Sequence, residues 1–110
     1  TATGRLLMAH FTTKELDALI NAVGLPSKKV WPDAETKIGL DMELSKIRKE
    51  EFVKLVSVYH TVGFAVPIFK DKKVIAALSV FVPESRYTDS HKGKIAKLIR
   101  KAAKQITSRL

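Results

Sequence analysis

The chain contains no cysteine among its 110 residues. Neither a disulfide framework nor a thiolate metal site can therefore hold the fold together, and a reducing compartment suits such a sequence. No apolar run approaches the roughly 18 to 20 residues that a membrane span needs, and the N-terminus lacks the basic segment and apolar core of a signal peptide. These absences predict a cytoplasmic protein with no membrane partner.

Aromatic residues are also scarce, at 7% of the chain, and they are not interleaved with the basic residues, so a stacking platform for single-stranded bases is missing. There is no glycine-rich phosphate loop and no nucleophile-elbow context for a Ser/His/Asp arrangement. His10, His60 and His91 are far apart and have no second ligand at metal-site spacing. We predict neither an enzyme nor a metal or cofactor site.

What the chain does have is enough hydrophobic residues, 45%, to bury the core of one α/β domain. Its formal net charge of +9 attracts anions over about 10 Å at moderate salt, so nucleic acid is a partner to weigh. The chain lacks an initiator methionine and opens directly on a helix-entry sequence at residues 1–4. We therefore expect it to be part of a longer protein.

Hydrophobic spacing predicts four helices. The first is a short buried helix within residues 1–11, and Thr12 with Glu15 forms a capping box that starts the second. Asp33, after a proline, is predicted to begin the third helix, and Thr88 is predicted to cap the last. Between the third and the last helix, the spacing of hydrophobic residues changes from a helical to a strand-like pattern, so strands are expected there.

Three strands are predicted. The apolar residues 52–59 form one, and residues 62–69 and 74–82 form a hairpin across the polar stretch 70–73. Both hairpin strands are apolar on both faces, so each face must be covered by helices or by another protein layer.

Four lysines lie three, four and three residues apart on one face of the last helix: Lys94, Lys97, Lys101 and Lys104. Regular cations on a helix can follow a phosphate backbone, although such a face is often only solvated. A basic nucleic-acid-binding module that uses this helix is therefore the main alternative function.

Several segments together resemble one family. The sequences TATGRLLMA at residues 1–9, AVPIF at 65–69, AALSV at 76–80 and PESRYT at 83–88 follow the order and spacing of segments in the IclR family of bacterial transcription regulators. The resemblance implies an α+β effector-binding domain, with an antiparallel sheet and flanking helices, similar to GAF and PAS (profilin-like) sensors. Residues 1–110 would be the C-terminal portion of that domain.

The resemblance also implies partners. Family members carry a winged helix-turn-helix before this domain, so DNA would be contacted only through a domain absent from the chain. The first strands of the sensor would also precede residue 1, so the sheet is expected to expose an edge that pairs with another copy, in a homodimer or tetramer. A domain that serves only to oligomerise is a further alternative.

By the same resemblance, a small organic acid binds between the sheet and the helix that opens the chain. The free amides of the first turn favour a carboxylate there, and Gly4 permits close approach of the backbone. The pocket positions of the family correspond to Ala2, Thr3, Val53, Thr61, Gly63, Ser79 and Phe81 in this sequence. With Gly4, they make eight predicted effector-binding residues.

Three of these positions depart from the family. Val53 stands where an acidic residue is frequent, Gly63 where cysteine or serine is frequent, and Phe81 where serine is frequent. The pocket thereby loses polar anchors. We therefore expect an apolar or aromatic carboxylate as ligand, hydrogen-bonded by Thr61, Ser79 and the helix amides.

Overall fold

The computed structural model describes residues 1–110, except for the side chains of residues 89, 90 and 92. Three antiparallel strands in the order β1-β2-β3 form one sheet, with helices on both faces, so the predicted α+β class is confirmed. The elements are α1 (Ala2–Ala9), α2 (Thr13–Val23), α3 (Lys37–Glu50), β1 (Val53–Val56), β2 (Thr61–Lys70), β3 (Lys73–Pro83) and α4 (Asp89–Ser108). Two short 3₁₀ turns precede α3 and α4.

The capping box before α2 is confirmed. The hydroxyl of Thr12 accepts from the amide of Glu15 at 3.1 Å, and the Glu15 carboxylate accepts from the amide of Thr12 at 2.8 Å. Each side chain thereby satisfies one amide that the helix start leaves without an intrahelical partner. Thr88 lies at the N-cap position of α4, as predicted, with an extended backbone.

The predicted start of the third helix was wrong. Asp33 lies in a 3₁₀ turn, and α3 begins after Thr36, whose hydroxyl accepts from the amide of Gly39 at 3.0 Å. The turn folds back over the first residues of the helix. A Cβ on Gly39 would therefore lie only 2.3 Å from the carbonyl oxygen of Asp33. Glycine at this position makes that approach possible.

The hairpin is confirmed, and its turn has two residues. Asp71 and Lys72 have φ angles of 52° and 66°, which is the left-handed pair that a type I′ turn requires. The register shifts after Ile68, which pairs with Ala76, and Ile75 is left as the extra residue of a bulge in β3.

The first strand is shorter than predicted, because it ends at Val56. The chain turns at once, and the amide of Ser57 donates to the carbonyl of Thr61 at 2.8 Å. Val58 and Tyr59 are 80% and 85% exposed in this turn. Their strand propensity is overridden by the backbone hydrogen bonds that close the turn.

Helices cover both faces of the sheet, as the apolar hairpin predicted. On one face α1 packs on all three strands and α3 packs against α1, and on the other face α4 packs on β2 and β3. The central strand β2 is buried from residue 62 to residue 68, whereas much of β3 is exposed or half-buried. No helix in the described part of the chain has the length and apolar character needed to cross a bilayer.

Candidate functional site

The strand register places several predicted site residues on the same face of the sheet. Gly63 pairs with Phe81, and Ala65 pairs with both Ser79 and Val53. Directly paired residues of antiparallel strands project to the same side, so these residues share the face on which α1 packs.

The first turn of α1 meets the sheet at Gly63. A Cβ built on Gly63 would lie 3.1 Å from Cε1 of Phe81 and 3.5 Å from the Cβ of Ala2. The missing side chain thus lets the helix start and the Phe81 ring close together over β2. The pocket expected here is therefore not open beside Gly63, because the Phe81 ring fills the space, although Phe81 is 59% exposed.

A hydroxyl pair joins the same helix turn to β3. Thr3 Oγ1 is hydrogen-bonded to Ser79 Oγ in a half-buried position. Two groups that were predicted as separate ligand contacts are therefore hydrogen-bonded to each other in this conformation. A bound ligand must share this hydrogen bond or break it.

The amide of Gly4 already has an acceptor. Its N–H donates to the hydroxyl of Thr1 at 2.9 Å, and a Cβ on Gly4 would lie 3.0 Å from that oxygen. This cap was not predicted, although a threonine immediately before a helix is the usual signal for one. The amides of Ala2 and Thr3 belong to the same turn, where helix geometry offers no acceptor.

Two predicted site residues flank this centre. Val53 is buried, and it lines a groove of about 260 Å³ beside Arg5 and Trp31. Thr61 is half-buried where β2 begins, and its carbonyl closes the preceding turn. The structure thus places Ala2 and Phe81 against Gly63 and joins Thr3 to Ser79, while Val53 and Thr61 lie on the neighbouring strand positions and Gly4 in the same helix turn.

An unexpected contact fixes α1 to the long loop before α3. The Arg5 guanidinium lies 4.1 Å from the centroid of the buried Trp31 ring, and Arg5 Nη2 donates to the carbonyl of Val30 at 3.0 Å. Burial lowers the pKa of Arg5, and the charge of Glu43 partly opposes that shift. The lone tryptophan in a loop was the sequence signal for this anchor.

The lysine ridge, defined as Lys94, Lys97, Lys101 and Lys104, lies where the helical spacing placed it. All four side chains are exposed on α4, beside a surface groove of about 880 Å³. The buried residues Ile99 and Ala103 hold the opposite side of the helix against the sheet.

Solved structures share this fold. A transcriptional regulator of the IclR type from Silicibacter sp. is 27% identical, with a TM-score of 0.79 over 99% of this chain and 43% of that chain. An IclR homolog from Microbacterium hydrocarbonoxydans, complexed with 4-hydroxybenzoate, is 25% identical, with a TM-score of 0.74 over 98% of this chain and 43% of that one. The chain thus spans less than half of these two proteins.

A double mutant of the inducer-binding domain of PobR from Acinetobacter, in complex with 3-hydroxybenzoic acid, has a TM-score of 0.81 at 19% identity, and the match covers 100% of this chain and 65% of that chain. No curated protein sequence matches the chain. The sequence model described as "Bacterial transcriptional regulator IclR C-terminal" matches residues 1–108. The chain therefore belongs to the IclR family of bacterial transcriptional regulators, as a C-terminal effector-binding domain.

Proposed function

We propose that this domain senses a small aromatic carboxylate, bound between the start of α1 and the face of the sheet that carries Gly63. The observation that carries the proposal is the close approach of both Ala2 and the Phe81 ring to Gly63, next to the Thr3–Ser79 hydroxyl pair. An IclR homolog of the same fold binds 4-hydroxybenzoate, and a double mutant of the PobR inducer-binding domain binds 3-hydroxybenzoic acid. Residues 1–110 would then act as the sensing part of a regulator, with no catalysis of their own.

The chemistry of the eight site residues suits such a ligand. None of them carries a charge, so the carboxylate would be balanced by the amides of Ala2 and Thr3 and by the positive end of the helix dipole. The hydroxyls of Thr3, Thr61 and Ser79 supply further hydrogen bonds. The ring of Phe81 offers an apolar face on which an aromatic ligand stacks.

The ligand would enter by displacing Phe81. This ring closes the space beside Gly63, but more than half of its surface is exposed, so rotation outward costs little packing. Rotation also frees the space that a glycine leaves over β2. The ligand would then replace the phenyl ring against Gly63 and Ala2.

Calorimetric titration tests the proposal. We expect 4-hydroxybenzoate to bind more tightly than short 2-oxo acids such as pyruvate. Gly63→Ala places a methyl group in the ligand's space and should weaken binding about tenfold, which corresponds to about 1.4 kcal/mol. Gly93→Ala is the matched control, because a Cβ at this exposed position on α4 meets nothing within 4 Å.

Three outcomes would contradict the proposal: a preference for short 2-oxo acids, equal binding by the two glycine variants, or no binding of either acid.

Light scattering on the same samples tests whether ligand binding changes the oligomeric state of the domain. We propose that the ligand shifts an equilibrium between dimers or tetramers, which requires different affinities for the two assembly states. An unchanged mass with saturating ligand would exclude that mode of output.

A further inference from the structure

Positive charge is concentrated in the last helix. Residues 89–110 contain seven of the 20 lysine and arginine residues of the chain but only one of its 11 acidic residues. This fifth of the sequence therefore carries +6 of the net charge of +9. Charge of this density on one element raises the local concentration of anions.

The geometry of α4 turns this charge outward. Successive residues of a helix are rotated by about 100°, so the four ridge lysines fall within an arc of about 80°, opposite the stripe that contains Ile99 and Ala103. Because those two residues are buried against the sheet, the ridge faces away from the protein. From Lys94 to Lys104 the helix rises about 15 Å, which gives a straight line of cations.

The neighbouring acids compensate only one end of the ridge. Glu50 and Glu51 line a groove together with Arg100 and Lys104. Among the side chains that the structure describes, no carboxylate lies within 4.0 Å of a ridge amine, and the ion pairs of these side chains join other residues. Lys94, Lys97 and Lys101 thus form the part of the ridge with the strongest uncompensated charge.

We propose that the lysine ridge of α4 binds the phosphate backbone of duplex DNA, as a contact surface of the sensing domain itself. Flexible ammonium groups in a line suit phosphates and carry no readout of base sequence. Membership in a family of transcriptional regulators makes DNA the relevant polyanion. A lipid surface fits less well, because the apolar stripe that would enter the bilayer is occupied by the sheet.

Fluorescence anisotropy with a labelled duplex of arbitrary sequence tests this surface. The 110-residue chain is titrated at several salt concentrations between about 20 and 200 mM, and log K is plotted against log salt. The double variant Lys97→Glu/Lys101→Glu should weaken binding at least tenfold at low salt and make the slope shallower by about 2, because each phosphate contact contributes about 0.9.

The matched control is Lys28→Glu/Lys29→Glu, which changes the net charge equally in an exposed loop distant in sequence from α4. It should keep the wild-type slope. Circular dichroism verifies that each variant is folded. If the glutamate substitutions unfold α4, the variant Lys97→Gln/Lys101→Gln replaces them in the titration. Equal losses in both pairs, undetectable binding at low salt, or tighter binding to phosphatidylglycerol vesicles than to the duplex would each overturn the proposal.

Discussion

Thr3 and Ser79 connect α1 to β3 through one half-buried hydroxyl pair, which is also part of the proposed ligand site. Removing either hydroxyl leaves the other without this partner. Ser79→Ala and Thr3→Val should therefore each lower the free energy of unfolding by about 1 kcal/mol. The double variant should cost less than the sum, because the second substitution removes the unsatisfied group.

Urea denaturation of the two single variants and the double variant measures this coupling. Ser45→Ala, on the exposed side of α3, is the control, and we expect it to change the unfolding free energy by less than about 0.5 kcal/mol. Strict additivity of the two single costs would show that the pair contributes nothing to the attachment of α1.

Individual contacts were the least accessible information in the sequence. The family resemblance selected Gly63, Ser79 and Phe81, and the structure places them side by side on one face. The closure of the Phe81 ring over Gly63 could not be inferred, because it depends on the register of the hairpin, which the sequence alone does not define. The cap from Thr1 to Gly4 is local, and the threonine itself would have predicted it.

At the scale of elements, α2 depends on its cap more than the other helices do. Within Thr13–Val23, all of which the structure describes, Leu16 is the only buried residue. Packing therefore adds little to the stability of α2. Thr12→Ala removes the hydroxyl that accepts from Glu15 and should destabilise the helix by about 1 kcal/mol. Amide exchange within α2 should then become about fivefold faster, whereas the core strands keep their protection.

Thr12→Ser keeps the hydroxyl and should leave the exchange rates near those of the wild type. An unchanged rate in the alanine variant would mean that tertiary contacts hold the helix without its cap. Hydrogen exchange measured by NMR resolves the two cases, because it reports on each amide separately.

Elements defined by local chemistry were predicted well. The Thr12–Glu15 box and the turn at Asp71 and Lys72 need only neighbouring residues, and both are present. The one wrong helix start also involves residues close in sequence. The helix expected at Asp33 begins only after Thr36, because the 3₁₀ turn packs over Gly39.

At the scale of the whole molecule, the apolar character of both hairpin strands predicted the layered architecture. β2 fulfils this completely, but β3 does not, since Ile75 is 53% exposed at the edge of the sheet. Sequence alone could not distinguish the central strand from the edge strand, because both are equally apolar. An apolar strand at an edge is suited to pairing with another chain, which agrees with the proposed assembly.

The stability of the whole fold should depend on pH through His10. Its ring packs edge-on against Phe69, and its Nε2 is buried with no hydrogen-bond partner among the described residues. Burial lowers the pKa of His10, and the charge of Arg48 lowers it further, while Glu51 opposes the shift. The Lys37–Asp41 ion pair lines the same cavity and contributes little net charge.

Because the pKa of His10 is lower in the folded state, the unfolded chain binds more protons just below its own histidine pKa of about 6.5. The free energy of unfolding should therefore fall as the pH drops from about 7.5 through this range, and level off below the folded pKa. His10→Gln should weaken this dependence, as measured by urea denaturation between about pH 7.5 and 5. Parallel curves for the variant and the wild type would contradict the assignment, since carboxylates titrate equally in both proteins and only the histidine differs.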